Sequence, residues 1–241
     1  FKELRDMLEK KGNRFKSKSD TEVIIHAYEE WGEKCVEKLN GMFAFAIWDS
    51  KKKILFLARD RTGIKPLYYY HDEKRFLFAS EIKSLFEFGI EKKLNEKIIY
   101  DYLNYFIFIG EETLFQNIHS FPPGNYAVIK NNKMFMKTFW EPNYKEKDYS
   151  IETASKQLKG ILEESVKSQL VSDVPVGAFF SGGLDSSTIV ALAKKYYDKS
   201  LKTFTAGFDV YPEEIENAEW ASDELGTEQY NVEINSDMFI K

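Results

Sequence analysis

The chain has 241 residues, 43% hydrophobic and 30% charged, which is an ordinary globular composition with room for one large or two medium-sized domains. Its formal net charge of −5 argues against a broad nucleic-acid-binding surface. The one cysteine, Cys35, excludes an internal disulfide and indicates a reducing compartment, and no apolar run reaches the roughly 18 residues of a membrane-spanning helix. We therefore expect a cytoplasmic protein whose partners include neither nucleic acid nor membrane.

The first part of the chain has the pattern of antiparallel hairpins with helices on the outside. An apolar stripe that ends at Gly12 predicts a helix over 2–11, and Asp20 is expected to cap a second helix running towards Trp31. Aromatic and β-branched runs between short turns predict strands over 41–49, 54–58, 67–70, 75–79, 126–130 and 134–139. Further helical segments are predicted over 33–39 and from Leu94-Asn95 to Tyr105, with irregular structure over 106–124. Ser80-Glu81 is expected to cap a short helix that ends near Gly89.

The pattern changes after a polar segment at 141–150, which contains Pro142 and is the predicted linker. A helix is predicted over 151–169, and strands over 175–180, 202–207 and 228–233 then alternate with helices over 186–197 and 213–225. This alternation is typical of a parallel, doubly wound sheet, for which we expect the strand order 3-2-1-4-5. The predicted domains are 1–140, with 90–140 as a C-terminal extension of the first domain, and 151–241.

The stretch around residues 176–187 predicts a strand, a tight turn and a helix. An apolar run between Pro175 and Gly182 is typical of a strand buried on both faces. The adjacent Gly182 and Gly183 allow a sharp turn, and Ser186 or Ser187 is expected to cap the helix that follows. A helix that begins at such a turn offers free amide donors and a positive dipole end, so the sequence predicts an anion site.

Four polar side chains surround this turn, namely Ser181, Asp185, Ser186 and Ser187. A carboxylate beside a phosphate requires a cation between them, so Asp185 indicates a magnesium ion, Mg²⁺. The Lys-Ser or Lys-Thr pair of the Walker loop is missing. Instead, Ser181–Ser187 resembles the pyrophosphate loop (PP-loop) of ATP pyrophosphatases, which implies ATP and Mg²⁺ as ligands. The alternative is a serine- and glycine-rich turn that binds nothing.

Further segments extend the resemblance to nearly the whole chain. With the loop, they resemble the glutamine-hydrolysing asparagine synthetase family, in the family's own order. These segments are Ser19–Val23, Gly41–Asp49, Ala58–Tyr69, Phe78–Lys83, Leu114-Phe115, Pro122–Gly124, Thr203–Phe208 and Leu225–Glu228.

The resemblance implies an α+β glutaminase domain of the N-terminal-nucleophile type, with antiparallel sheets and flanking helices, followed by the start of an α/β doubly wound ATP-pyrophosphatase domain. It implies that glutamine hydrolysis supplies ammonia to an aspartate carboxylate that ATP has activated as an acyl-adenylate. The substrates would be glutamine, aspartate and ATP, and the products asparagine, glutamate, AMP and pyrophosphate. Family members are often dimers, so a homodimer is one option, although no residue here indicates an interface.

Site residues carry over only where this sequence matches the family's motifs. Asp20 matches the residue that holds the α-amino group of glutamine. The positions that match ATP- or pyrophosphate-binding residues are Phe180, Ser181, Gly182, Gly183, Asp185, Ser186, Ser187 and Ala206. The family's N-terminal cysteine, the segment that forms its oxyanion hole and its later catalytic lysine have no counterpart in these 241 residues. We therefore expect a partial chain with no catalytic residue of its own, inactive when alone.

Several alternatives stay open at this point. The enzyme could act on another carboxylate, such as a sugar acid, or could catalyse a cyclisation of the β-lactam or lasso-peptide type. A protein of another class, a non-catalytic nucleotide-binding remnant, would have the same loop. Arg59-Asp60-Arg61 could bind a substrate carboxylate, but a buried network between hairpins is the favoured interpretation. Cys35 is expected in the core, and the three histidines show no metal-ligand spacing.

Overall fold

The structure is a computed structural model that describes residues 1–208 and 213–234 of the chain, apart from the side chain of Phe208. It divides into two compact units, Phe1–Tyr144 and Lys145–Lys241. Residues 209–212 and 235–241 of the predicted domain 151–241 lie outside the described part. Within that part, none of the helices combines the length and the apolar character needed to cross a membrane.

The first unit contains two antiparallel sheets with helices around them. Its helices are α1 (Lys2–Lys10), α2 (Asp20–Trp31), a 3₁₀ helix (Gly32–Lys38), α3 (Ile82–Phe86) and α4 (Glu96–Tyr105). Its strands are β1 (Ala44–Asp49), β2 (Ile54–Arg59), β3 (Tyr68–His71), β4 (Phe76–Ala79), β5 (Ile118–Ser120), β6 (Asn125–Lys130) and β7 (Lys133–Thr138). One sheet has the order β1-β2-β6-β7 and the other the order β4-β3-β5, and every pair in both is antiparallel.

Strand β2 lies at the centre of the first unit. Two consecutive residues of β2, Phe56 and Leu57, point to opposite faces of the sheet, and both are fully buried. Phe56 packs into a cluster with Leu8 of α1 and Val23 of α2, whereas Leu57 packs with Phe121, which follows β5. Helices therefore cover one face of the larger sheet, and the residues around the smaller sheet cover the other.

The structure corrects three predictions in this unit. Ser19, and not Asp20, is the N-cap of α2, because its side chain accepts a hydrogen bond from the amide of Thr21. Neither Ser80 nor Glu81 caps α3 with its side chain, and Glu81 occupies the N-cap position. The region predicted as irregular, 106–124, contains strand β5, which pairs with β3.

The second unit has a three-stranded parallel sheet with helices between its strands. Its elements are α5 (Ile151–Gln169), β8 (Gly177–Phe179), α6 (Leu184–Tyr196), β9 (Lys202–Phe208), α7 (Glu213–Leu225) and β10 (Glu228–Ile234). The strand order is β10-β9-β8, which is the 3-2-1 part of the predicted order, and both pairs are parallel. The predicted fold class, an antiparallel α+β unit followed by a parallel α/β unit, is confirmed.

The helices of the second unit pack against one face of its sheet. That face carries Phe180, which clusters with Val166 of α5, Val190 of α6 and Ala218 of α7. On the opposite face, Phe179 is 92% exposed and lies beside Phe204, which is also exposed. The prediction that β8 is buried on both faces is therefore wrong for the described residues, because no described helix covers this second face.

Helix α5 has the predicted bounds, but its apolar stripe is buried only near the C-terminal end. Val166 lies in the core, whereas Leu158 and Ile161 are 57% and 64% exposed. The helical period predicted the element correctly but not how much of its apolar face is covered.

Candidate functional site

The predicted pyrophosphate loop lies between β8 and α6, at the carboxyl end of β8. Gly182 has a φ of +70°, and a Cβ there would lie 2.7 Å from the carbonyl carbon of Asn217 in α7. Only glycine fits this combination of left-handed backbone and close approach. Gly183 is the N-cap of α6, so the prediction that Ser186 or Ser187 caps the helix is wrong. Ser186 and Ser187 are the third and fourth residues of α6.

The hydroxyl groups of Ser181 and Ser186 hold the loop together. Their Oγ atoms are 3.0 Å apart, and the Ser186 hydroxyl also lies 3.2 Å from the carbonyl oxygen of Gly183. The amide of Ser187 donates to the same carbonyl at 2.9 Å, which is the first intrahelical bond of α6. The loop is therefore organised by its own side chains, and the structure brings together the predicted residues Ser181, Gly182, Gly183, Ser186 and Ser187.

The first turn of α6 offers backbone donors at the open end of this loop. The first amides of a helix have no intrahelical acceptor, and the dipole of a 13-residue helix adds positive potential there. Leu184 is 84% exposed, so this end of α6 is accessible to solvent. The arrangement suits a phosphate group. The hydroxyls of the three nearby serines add donors when those of Ser181 and Ser186 turn from their bonds within the loop to the phosphate.

Asp185 is exposed in that same first turn. A carboxylate at this position stabilises a helix by itself through the dipole, which explains the residue without any ligand. Among residues 1–208 and 213–234 there is no group of three or more His, Cys, Asp or Glu that could hold a metal ion. A magnesium ion fits here only if phosphate oxygens and water supply most of its ligands, which is how Mg²⁺ usually binds with nucleotides.

Phe180 and Ala206 lie beside the loop in different ways. The side chain of Phe180 is buried, its amide donates to the carbonyl of Phe204 at 2.8 Å, and its carbonyl accepts from the hydroxyl of Thr205. The β8–β9 ladder ends at the pair Phe179 and Phe204. Phe204 directs its backbone carbonyl towards β8, and residues two apart in a strand direct their backbone N–H and C=O groups to the same side. The amide of Ala206 therefore points to the same side as Phe204, into the space beyond the end of β8. Phe180 supports the loop, and Ala206 faces the region next to it.

Asp20 lies in the first unit as the exposed first residue of α2. Its Oδ1 atom is 3.4 Å from the hydroxyl oxygens of both Ser19 and Thr21. The segment that leads to it is held by Glu22, whose carboxylate accepts from the hydroxyl of Ser17 at 2.6 Å and from the amides of Lys16 and Ser17 at 2.7 Å. These bonds, that of the Ser17 hydroxyl first, lower the pKa of Glu22 to about 2. An anionic Glu22 therefore holds Lys16 and Ser17 in front of α2, at the start of which Asp20 lies.

Asp60 and Arg59 form the buried network that the sequence favoured. Burial opposes the ionisation of Asp60, which is 1% exposed, but its hydrogen bonds from the backbone outweigh this and lower the pKa of the carboxyl. The amides that donate to it belong to Phe43, Thr62, Ile64 and Lys65. Arg59 donates to the carbonyl oxygens of Gly63 and Lys65, both at 2.8 Å. Both side chains are used to fold the connection after β2.

Cys35 has the properties of a core residue and not of a nucleophile. It is fully buried, and burial raises the pKa of its thiol to about 12. The reactive form of cysteine is the thiolate, which is scarce at neutral pH when the pKa is so high. The first unit therefore has no nucleophilic cysteine among its described residues.

Sequence reasoning missed two residues of the second unit: Thr205, which contacts Phe180 directly before the loop, and Gln229, which contacts Thr205. Thr205 donates to Phe180, and Gln229 donates to Thr205 at 2.6 Å. The alternation Thr203-Phe204-Thr205 indicated a strand with two polar residues on one face. The missing information was that this face is the covered one.

Two family models match the chain, one for each unit. The glutamine amidotransferase domain matches residues 1–140, and the asparagine synthase model matches residues 157–241. The sequence and the fold thus define a glutamine amidotransferase domain followed by an asparagine synthase domain. The chain belongs to the glutamine-hydrolysing asparagine synthetase family.

Individual relatives agree with this membership. Asparagine synthetase [glutamine-hydrolyzing] 1 of Bacillus subtilis (strain 168) is 35% identical over 99% of this chain and 38% of the relative. Putative asparagine synthetase [glutamine-hydrolyzing] 2 of Methanocaldococcus jannaschii is 37% identical over 79% of this chain and 38% of the relative. Amidase chyE of Penicillium rubens is 34% identical over 74% of this chain and 27% of the relative. The chain spans well under half the length of these relatives.

Proposed function

We propose that the protein is a glutamine-dependent amidotransferase that activates a carboxylate with ATP, and that the carboxylate is the side chain of aspartate. The observation that carries the proposal is the Ser181–Ser187 loop at the start of α6, within a chain that belongs to the asparagine synthetase family. The first unit would bind glutamine, and the second would bind ATP.

The chemistry explains why both substrates are needed. A carboxylate is a poor acylating group, because its leaving group would be an oxide ion. Attack of the carboxylate oxygen on the α-phosphorus of ATP releases pyrophosphate and forms an acyl-adenylate. Ammonia from glutamine then attacks the acyl carbon and AMP leaves, so that an amide and AMP are formed.

The loop residues have separate roles in this proposal. The hydroxyls of Ser181, Ser186 and Ser187 and the free amides at the start of α6 bind the pyrophosphate oxygens. Gly182 and Gly183 allow the phosphates to approach the backbone. Asp185 contacts the magnesium ion that accompanies ATP, since its exposed carboxylate would otherwise repel the phosphates.

Three further residues are assigned to the binding of ATP and glutamine. Ala206, and the backbone of Phe180 beside it, form the wall against which the nucleotide lies, because a small side chain permits close contact. Asp20 binds the α-amino group of glutamine through its exposed carboxylate at the start of α2.

A second candidate is an amidotransferase of the same chemistry with a different acceptor. Its support is that one relative, at 34% identity, is named an amidase and not an asparagine synthetase. Under this candidate, ATP and glutamine are used in the same way, and a sugar acid or an intramolecular carboxylate replaces aspartate.

Product analysis with the full-length protein tests the proposal. We expect that ATP, Mg²⁺, glutamine and aspartate give AMP and pyrophosphate in amounts equal to the asparagine formed. AMP that forms with a sugar acid but not with aspartate would favour the second candidate. ADP and phosphate as products, or no ATP turnover with any carboxylate, would contradict the proposal.

A further inference from the structure

A chain of hydrogen bonds runs through the covered face of the second unit to the base of the loop. We call it the polar chain. In order, it joins Ser222 Oγ to Thr227 Oγ1 (2.7 Å), Thr227 Oγ1 to Thr203 Oγ1 (3.0 Å), Thr203 Oγ1 to Gln229 Oε1 (2.6 Å), Gln229 Nε2 to Thr205 Oγ1 (2.6 Å), and Thr205 Oγ1 to the carbonyl of Phe180.

Three members of the polar chain are buried, where apolar side chains are usual. Thr203, Thr205 and Ser222 are 0%, 6% and 1% exposed. A buried hydroxyl that has its hydrogen bond adds little net stability over an apolar group of the same shape. Stability alone therefore does not account for so many polar groups in this small core.

The chemistry of the members fixes the direction of the chain. The amide of Gln229 has one end that only accepts and one that only donates, and it accepts from Thr203 and donates to Thr205. Since the Thr205 oxygen accepts from Gln229, its single proton is free to go to the carbonyl of Phe180. Gln229 thus orients the hydroxyl of Thr205 towards the start of the loop.

The carbonyl of Phe180 is the group that would continue the β8–β9 ladder. In a parallel pair in which Phe180 donates to Phe204, the next bond would run from the amide of Ala206 to the carbonyl of Phe180. The hydroxyl of Thr205 donates to that carbonyl, and the described residues show no bond to it from the amide of Ala206. The ladder ends there, the chain turns into Ser181–Ser187, and the amide of Ala206 is left facing the space beside the loop.

We propose that Thr205, oriented by Gln229, is a positioning residue of the ATP site: it ends the ladder at Phe180, sets the direction of the Ser181–Ser187 loop and leaves the Ala206 amide available to the nucleotide. This inference rests on the proposed binding of ATP by the loop. Thr205 itself does not touch the nucleotide in this account.

The test compares Thr205→Val with Thr205→Ser in the full-length protein. Valine keeps the shape but removes the hydroxyl, whereas serine keeps the hydroxyl. We expect the Kd for Mg–ATP to rise about tenfold in Thr205→Val, which corresponds to the loss of about one hydrogen bond, and to stay within about twofold in Thr205→Ser. The same Kd in Thr205→Val and the wild type would overturn the inference.

Thr113 provides a matched control in the other unit. It is 4% exposed, and its hydroxyl donates to the carbonyl of Ile118 at 2.8 Å, so Thr113→Val removes the same kind of buried bond. We expect Thr113→Val to lower the melting temperature as Thr205→Val does but to leave the Kd for Mg–ATP unchanged. Equal losses of affinity in both valine variants would show a general effect of destabilisation and would overturn the positioning role.

Gln229→Glu keeps the test decisive if Thr205→Val does not fold. Glutamate has nearly the same shape, but it accepts at both ends at pH 8, so the hydroxyl of Thr205 would turn towards it and leave Phe180. We expect a rise in Kd similar to that for Thr205→Val, and an unchanged Kd would overturn the inference. If the wild-type protein does not bind Mg–ATP, the proposed function itself fails, which is a distinct result.

Discussion

The carboxylate of Asp20 has a local role in the stability of α2 beside its proposed role in binding glutamine. Its place at the start of α2 is explained locally, because acidic residues stabilise the first turn of a helix. The neighbouring Ser19 supplies the cap, so the carboxylate of Asp20 is not consumed by capping. That division of roles leaves Asp20 exposed and able to bind an ammonium group.

The Asp20→Asn variant tests this role in the full-length protein. We expect glutamine-dependent turnover to fall by about 10- to 100-fold, the effect of one charge-assisted hydrogen bond, while turnover with free ammonia is retained. The measurement is the rate of amide formation with each nitrogen source. Asp6→Asn, which changes an exposed aspartate of α1, is the matched control and should affect neither rate. Equal loss with glutamine and with ammonia would instead assign Asp20 a role in folding.

At the same scale, the sequence predicted the position of the turn but not the residues that support it. Gly182 could be identified because a tight turn requires glycine, whereas the ligand roles of Ser181 and Asp185 stay predictions. Thr205 and Gln229 could not be identified, since their roles depend on which face of the sheet the helices cover. That information is not contained in the local pattern of β9 or β10.

At the scale of elements, the periodicity of apolar residues predicted most helices and strands, but the capping residues in the sequence did not decide at which residue a helix begins. Helix α5 was predicted with the correct bounds, because a long apolar stripe and a polar segment before it leave little freedom. The N-cap of α2 was predicted one residue too late, at Asp20 instead of Ser19, because Ser19, Asp20 and Thr21 can all act as N-caps. Strand β5 was missed because it has three residues and is defined by its pairing with the distant β3.

The segment before α2 gives a pH-dependent prediction. The pKa of Glu22 is lowered from 4.5 to about 2 in the folded protein. A lowered carboxyl pKa contributes stability that is fully present above the unfolded value and is lost as the pH falls towards the folded value. Glu22→Gln should therefore unfold at lower urea concentration than the wild type at pH 7, and the difference should shrink from pH 4.5 towards pH 2.

Urea unfolding at pH 7, 4 and 3 checks this expectation. Glu73→Gln is the matched control, because Glu73 is an exposed residue of a turn, and it should match the wild type at each pH. A difference between Glu22→Gln and the wild type that is constant over this range would show that the charge of Glu22 does not hold the segment.

At the scale of the whole molecule, the two units match two family models, and each has the sheet type that its sequence pattern predicted. The parallel sheet also shows what a pattern cannot provide. An apolar run such as Ala178-Phe179-Phe180 predicts a strand, but the structure buries Phe180 and leaves Phe179 exposed. Burial depends on the elements that pack on each face, and these are set by the connections and not by the strand.

The distinction between an enzyme and a non-catalytic nucleotide-binding remnant also concerns the whole molecule. Both would contain the Ser181–Ser187 loop, and only the enzyme would couple ATP binding to the formation of an amide. The central claim common to the proposals is that this loop binds ATP with magnesium through Asp185.

Calorimetric titration of the full-length protein with ATP, with and without Mg²⁺, tests that claim most directly. For Asp185→Ala we expect the Kd for Mg–ATP to rise by about tenfold or more. The Kd for ATP alone should stay the same or fall, because a repelling carboxylate is removed, and the melting temperature should shift by only about 2–4 °C. Asp198→Ala, at an exposed aspartate beyond the end of α6, should bind as the wild type does. Equal affinities for Mg–ATP in Asp185→Ala and the wild type would contradict the account.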